Sequence, residues 1–129
     1  MKLKESIYTD NAPKPVGPYS QGVVAGDFLF ISGQVPLDPK NGKLVSDDFT
    51  EQVKRVLENL KAILEEAGLT FDDLIKVTVF MKDPSKFSLF NNIYSSYFKG
   101  QFPARSVVFV NSLPVGAQIE IEAIAVYRE

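Results

Sequence analysis

The sequence has no cysteine, no histidine and no tryptophan. Without cysteine there is no disulfide, no thiolate nucleophile and no cysteine-based metal site. Without histidine, acid–base chemistry rests on Asp, Glu, Tyr, Lys or water, and a metal would have to be held by carboxylates. An excess of either charge is missing too: 14 Lys and Arg stand against 16 Asp and Glu, a net charge of −2. That balance gives no electrostatic footprint for nucleic acid or an anionic membrane, so neither is expected as a partner. No apolar run approaches membrane-spanning length. The opening "MKLKESIYTDNAP" has no apolar core of a signal peptide, and a soluble cytoplasmic protein is expected. Linkers, low-complexity tracts and internal repeats are also absent, which points to a single domain over residues 1–129.

What is present is a chain rich in core-forming residues, 45% of them hydrophobic, with ten Phe and five Tyr placing much of the core volume in rings. Residues 4–8 suit a short edge strand. The Pro-rich "NAPKPVGPYS" that follows excludes a helix. Strands are expected near 20–25 and 28–34, turning at Gly26-Asp27, and Asn41-Gly42 marks a second tight turn. From Phe49 to Ala67, apolar residues recur with a helical period at Val53, Val56/Leu57, Leu60 and Ile63/Leu64. Asp48 with Glu51 predicts a capping box, and Gly68 a stop. A strand over 74–83 precedes a second helix, entered at Asp83-Pro84 and ended by Gly100, with Phe87, Phe90, Tyr94 and Tyr97/Phe98 on one face. The last strands fall near 105–110 and 118–127.

The strand–helix–strand unit from 74 to 110 predicts two parallel strands in one sheet. The pattern as a whole gives an α/β (α+β two-layer) domain, a six-stranded mixed sheet with two helices on one face. Yet "VTVFM" and "VVFV" do not alternate apolar with polar, which predicts strands buried on both faces. With no helix left for the second face, another copy of the chain is the economical cover.

Arg105, in "QFPARSVVF", is the residue least at home in its setting, because a guanidinium is rarely buried without a partner. It either captures a carboxylate or phosphate through its planar fork, or forms an interface ion pair with Glu or Asp. Glu120 and Glu122 share one strand face, roughly 6–7 Å apart, with Ile119 and Ile121 opposite. They read either as a general base with a supporting charge or as a solvated face. In "GPYSQG" and "ISGQVP", small residues permit close backbone approach. Tyr19 and Ser32 are placed to donate hydrogen bonds beside the Gly33 N–H, although both segments also read as ordinary turns. Asn91 lies beside the apolar stripe of the second helix, either reaching a site or satisfied at an interface. The glycine spacing of "GVVAG" lacks the strand–turn–helix setting of a dinucleotide loop.

Taken in series, "GPYSQG", "SGQVPLDPKNGK", "FPARSVVFV" and "IEIEAIAV" closely resemble the RidA/YjgF family of reactive-intermediate deaminases over nearly the whole chain. The resemblance implies a fold similar to chorismate mutase, a homotrimer, and ligand clefts between subunits. It implies cofactor-independent hydrolysis of 2-imino acids, such as 2-iminobutanoate and 2-iminopropanoate, to the 2-keto acid and ammonia. By matching motif, Arg105 would hold the substrate carboxylate and Glu120 would activate water. Tyr19, Ser32, Gly33 and Asn91 would line the cleft, and Phe87 would form an apolar wall. Val107 stands where many members have Cys, and its expected role is a backbone N–H contact. Neither metal nor covalent nucleophile is required, because the imine brings its own anion and an electrophilic carbon. A nearby Arg105 is expected to depress the pKa of Glu120 until substrate neutralises it. Rival readings are a ribonuclease or translation inhibitor, and a non-catalytic small-acid-binding or chaperone-like trimer.

Overall fold

The computed structural model describes residues 3–128. Six strands form one mixed sheet: β1 (Glu5–Ile7), β2 (Gly22–Ala25), β3 (Phe28–Gln34), β4 (Leu74–Met81), β5 (Ala104–Phe109) and β6 (Ile119–Val126), in the order β1-β2-β3-β6-β4-β5. Only β4 and β5 run parallel, with α2 (Phe87–Ser95) in the connection between them, as the strand–helix–strand pattern requires. Gly26, at φ 61°, makes the two-residue turn from β2 to β3 possible.

Helix α1 (Phe49–Glu66) packs its fully buried Val53, Leu57, Leu60, Ile63 and Leu64 against Leu29 and Ile31 of β3, Val77 and Val79 of β4, and Ile119 and Ile121 of β6. Its N-cap is half of the expected box. The Asp48 carboxylate accepts the Glu51 N–H at 3.0 Å, but the Glu51 carboxylate accepts from Ser46 Oγ, which itself takes the Asp48 N–H. A complete box forms instead at Thr70 and Asp73, closing the short turn before β4. Gly68, at φ 78°, ends α1: its N–H donates to Glu65 and that of Leu69 to Leu64, which satisfies two carbonyls of the last turn.

One expectation is corrected. The second helix does not begin at Pro84 or run to Gly100. Asp83 caps a single 3₁₀ turn over Pro84–Lys86, and α2 stops at Ser95. There the Ser95 and Ser96 hydroxyls donate to the carbonyls of Asn92 and Ile93, and the backbone tightens into i→i+3 bonds through Phe98. Within one chain β4 and β5 are covered on one face only, which leaves open the face for which a second copy is the expected cover. Val77, Val79 and Met81 are buried under the helices, whereas Phe80 is half-buried and Val108 is 42% exposed. Across the same uncovered face, Phe28 and Phe30 of β3 are 42% and 44% exposed.

Candidate active site

The first group of site residues lies around a cleft of about 450 Å³ near the ends of β3 and β6, with Tyr19, Ser32, Gly33, Val115, Glu120 and Glu122 in its wall. Its scaffold is a buried amide. Gln21 Oε1 accepts the Thr9 N–H at 2.8 Å, and its Nε2 donates to the carbonyls of Thr9 and Pro13 at 3.0 Å, pinning the Pro-rich segment beside β3. Asn59 of α1 holds the other flank by donating to the carbonyls of Val35 and Leu37.

Between these anchors β3 carries a bulge. Ile31 pairs with Ala123 and Gln34 with Ile121, so Ser32 and Gly33 together stand opposite Glu122. The bulge is what brings backbone against Glu120. A Cβ at position 33 would fall on Oε2 of Glu120 and come within 3.0 Å of its Cδ, so only glycine fits there without moving the carboxylate. Burial, and secondarily the charge of Glu122, raise the Glu120 pKa above the usual carboxylate range.

Within one chain Arg105 does not reach Glu120, and burial with the Glu122 charge acts on that carboxylate instead. One site expectation changes here. The Ser32 hydroxyl is already committed as a donor, to the Ser20 carbonyl at 2.6 Å, which leaves it as an acceptor towards the cleft. Tyr19 does keep its donor: its hydroxyl oxygen accepts the Val16 N–H at 3.3 Å and its own proton stays available.

The second group sits across the sheet. On β5, Arg105 pairs with Val77, Val107 with Val79 and Phe109 with Met81, so these three side chains take the helix-covered face. The Arg105 guanidinium carbon lies 5.7 Å from the ring centres of Phe87 and Phe90 and 5.1 Å from that of Tyr94, a cage of three aromatic faces provided by α2. Among the described residues no carboxylate comes within 4.0 Å of it to form an ion pair. Burial pushes the Tyr94 hydroxyl up to about 12 against the opposing pull of Arg105. That hydroxyl and the Oδ1 of Asn91, one turn away on α2, are buried with no hydrogen-bond partner among the described residues.

The predicted set is therefore divided. Tyr19, Ser32, Gly33 and Glu120 meet in one cleft; Arg105 meets Phe87 under α2, with Val107 further along β5 and Asn91 on α2 itself; and the sheet separates the two groups. Sequence reasoning missed Tyr94, read only as part of an apolar stripe, although a tyrosine there carries a hydroxyl that a phenylalanine would not. It also missed Val115 on the cleft rim, a β-branched residue at φ 55° that nothing but the adjacent glycine foreshadows. Among the described residues no three acidic side chains converge as a metal site, and no helix is long and apolar enough to cross a membrane.

Similar proteins match nearly the whole length of the chain. A RutC family protein of Pyrococcus horikoshii is 55% identical over 127 residues, spanning 98% of this chain and 100% of that one. The 2-iminobutanoate/2-iminopropanoate deaminase of Salmonella typhimurium is 48% identical over 129 residues, 98% of this chain and 100% of its own. The crystal structure of E. coli TdcF with bound serine superposes with a TM-score of 0.91 at 42% identity, over 96% of this chain and 99% of that one. A family model described as Endoribonuclease L-PSP matches residues 9–127, and with these relatives it shows that the chain belongs to the RidA/YjgF family.

Proposed function

We propose that the protein hydrolyses 2-imino acids to 2-keto acids and ammonia, at sites completed between copies of the chain in a homotrimer. The observation that carries this reading is a pair of opposite deficits among the described residues: a caged guanidinium without a counter-charge, and a half-buried carboxylate without a cation. A small zwitterionic imine supplies both. Its carboxylate docks on Arg105, and its protonated C=N faces Glu120 of a neighbouring copy. The catalytic steps then need no cofactor. Glu120 takes a proton from water as the oxygen bonds to the imine carbon. It returns that proton to nitrogen in the tetrahedral adduct. As the C–N bond breaks, nitrogen leaves with the bonding pair as ammonia, and Glu120 takes the proton of the adduct hydroxyl so that its oxygen becomes the keto oxygen. Passing that proton to the ammonia releases ammonium and restores the carboxylate. The raised pKa suits this role, since a desolvated carboxylate is a stronger base than a solvated one.

The test generates imine in situ from threonine with a dehydratase and measures how much faster 2-oxobutanoate appears with the protein added. Glu120→Gln is expected to lose at least about a hundredfold in turnover while still binding keto acid, and Arg105→Ala to lose the binding itself. No acceleration by the wild-type protein refutes the proposal. Equal loss of keto-acid affinity in both variants refutes the division of roles. The family's endoribonuclease description favours RNA cleavage as a second reading. With no histidine and a net charge of −2, the chain offers little for it, and RNA left intact by the trimer would dispose of it.

A further inference from the structure

Beside the Arg105 cage, β5 exposes an aromatic ring that neither the fold nor the proposed chemistry uses. Alternation along the strand puts Arg105, Val107 and Phe109 in one row, at steps of roughly 6.6 Å. Val107 is half-buried, whereas Phe109 at the end of the row is 44% exposed. The Phe109 ring meets the edge of Phe87 at 6.2 Å and an interplanar angle of 67°. Phe87 in turn lies 5.7 Å from the Arg105 guanidinium. One ring thus touches both the cation and the second ring, so an apolar strip begins where the anion site ends. Phe109 belongs neither to the buried core nor to the half-buried side chains that pack against it.

From this geometry we infer that Phe109, with Phe87, makes the site select acids with a large apolar α-substituent over those with a methyl or ethyl group. The inference rests on the proposed docking of a 2-imino or 2-keto carboxylate at Arg105. A carboxylate held there leaves the α-substituent next to Phe87. A methyl group ends at that ring, whereas a branched or aromatic side chain continues along Val107 to the face of Phe109. Each added methylene that reaches the strip removes apolar surface of both partners from water, and a hydrophobic pocket discriminates at about tenfold or more per methylene.

The experiment has two arms. In the first, imines are generated by an amino-acid oxidase with catalase from alanine, 2-aminobutanoate, leucine, methionine and phenylalanine, and kcat/KM is compared across the series. In the second, dissociation constants are measured calorimetrically for pyruvate, 4-methyl-2-oxopentanoate and phenylpyruvate, which require no turnover. The expected result is a preference of about tenfold or more for the leucine- and phenylalanine-derived members, carried mainly in KM and repeated in the binding arm. Phe109→Ala should reduce that preference about tenfold, and Phe109→Leu, which keeps the position apolar, should retain most of the preference for the leucine-derived member. A wild-type preference for the smallest acids, or a ratio unchanged in Phe109→Ala, overturns the inference. If no imine is turned over but the keto acids still rank by size and lose that ranking in Phe109→Ala, the deaminase reading fails and the size selection stands.

Discussion

Glu120 owes its basicity to two neighbours of different kinds: apolar burial, which is the larger cause, and the like charge of Glu122 two residues along the strand. Both raise its pKa, so the acid limb of the kcat/KM profile, where the base must be ionised, should lie above the ordinary carboxylate range. Glu122→Gln removes the smaller cause and leaves the larger. The limb should move to lower pH without returning to an ordinary position. Stability should follow with the matching sign. A carboxyl whose folded pKa is raised contributes stability below its unfolded pKa, and that contribution is lost as pH rises through the folded value. Glu122→Gln should therefore gain on the wild type in urea midpoint as pH climbs through that window. A limb that stays put in the variant would show that Glu122 is too solvated to act. The anomaly of Arg105 and the pairing of Glu120 with Glu122 on one face were both legible in the sequence, because burial cost and strand alternation are local rules. That Arg105 and Glu120 take opposite faces was not. It depends on how β5, β4 and β6 align, Val77 with Arg105 on one side and Phe80 with Glu120 on the other, and no local pattern encodes that alignment.

At the scale of elements, the same contrast separates what the sequence predicts well from what it does not. Helix α1 was legible almost to the residue because three independent signals agree: the apolar period, the Asp48 cap and the Gly68 stop. Helix α2 was overextended, since its aromatic stripe continues through Tyr97 and Phe98 after the backbone has left the α-helix. Two serine hydroxyls that bond back to carbonyls end it, and they compete with helix in a way that the apolar period does not register. The bulge at Ser32–Gly33 was foreshadowed only by the presence of a glycine within a strand. Gly68 allows the element-level account to be tested. A methyl group added there would meet no atom within 4 Å, so substitution carries a backbone penalty and no steric one. Gly68→Ala should cost about 1–2 kcal/mol from holding an L-residue at φ 78°, seen as a lower urea midpoint at unchanged m-value. Imine turnover per folded molecule should stay as it was, because α1 reaches the cleft through Asn59 and Gln52, and both lie well before its C-terminal turn. A loss well beyond that range would mean that the Leu69 contacts after the cap had shifted as well.

For the molecule as a whole, the uncovered sheet face and the divided site are one problem. Val23, Phe30 and Ile124 stand side by side on that face across three strands, and Val108 adds apolar surface near its far edge. A polar band runs between them, with Thr78 paired to Glu122 and the Lys76 ammonium donating to Ser106 Oγ at 3.0 Å. A contact that joins this face of one copy to a different surface of the next is head-to-tail, and closes into a ring after a fixed number of copies. Such a ring can carry the Arg105 edge of one copy to the Glu120 cleft of another, which a single chain cannot do with the sheet between them. Arg105→Ala and Glu120→Gln proteins, each inactive alone, should then complement each other when unfolded together and allowed to reassemble. With random mixing in equal amounts, half of the copies bring an intact Arg105 and half an intact Glu120. About one quarter of the sites regain both groups, and imine hydrolysis should return to about a quarter of the wild-type rate. Recovery should vanish if the two preparations are mixed without unfolding and their subunits do not exchange. If co-refolded material stays as inactive as its components while its size matches the wild-type assembly, both groups must come from one chain. The sheet would then have to open to unite them, and the intersubunit site would be wrong.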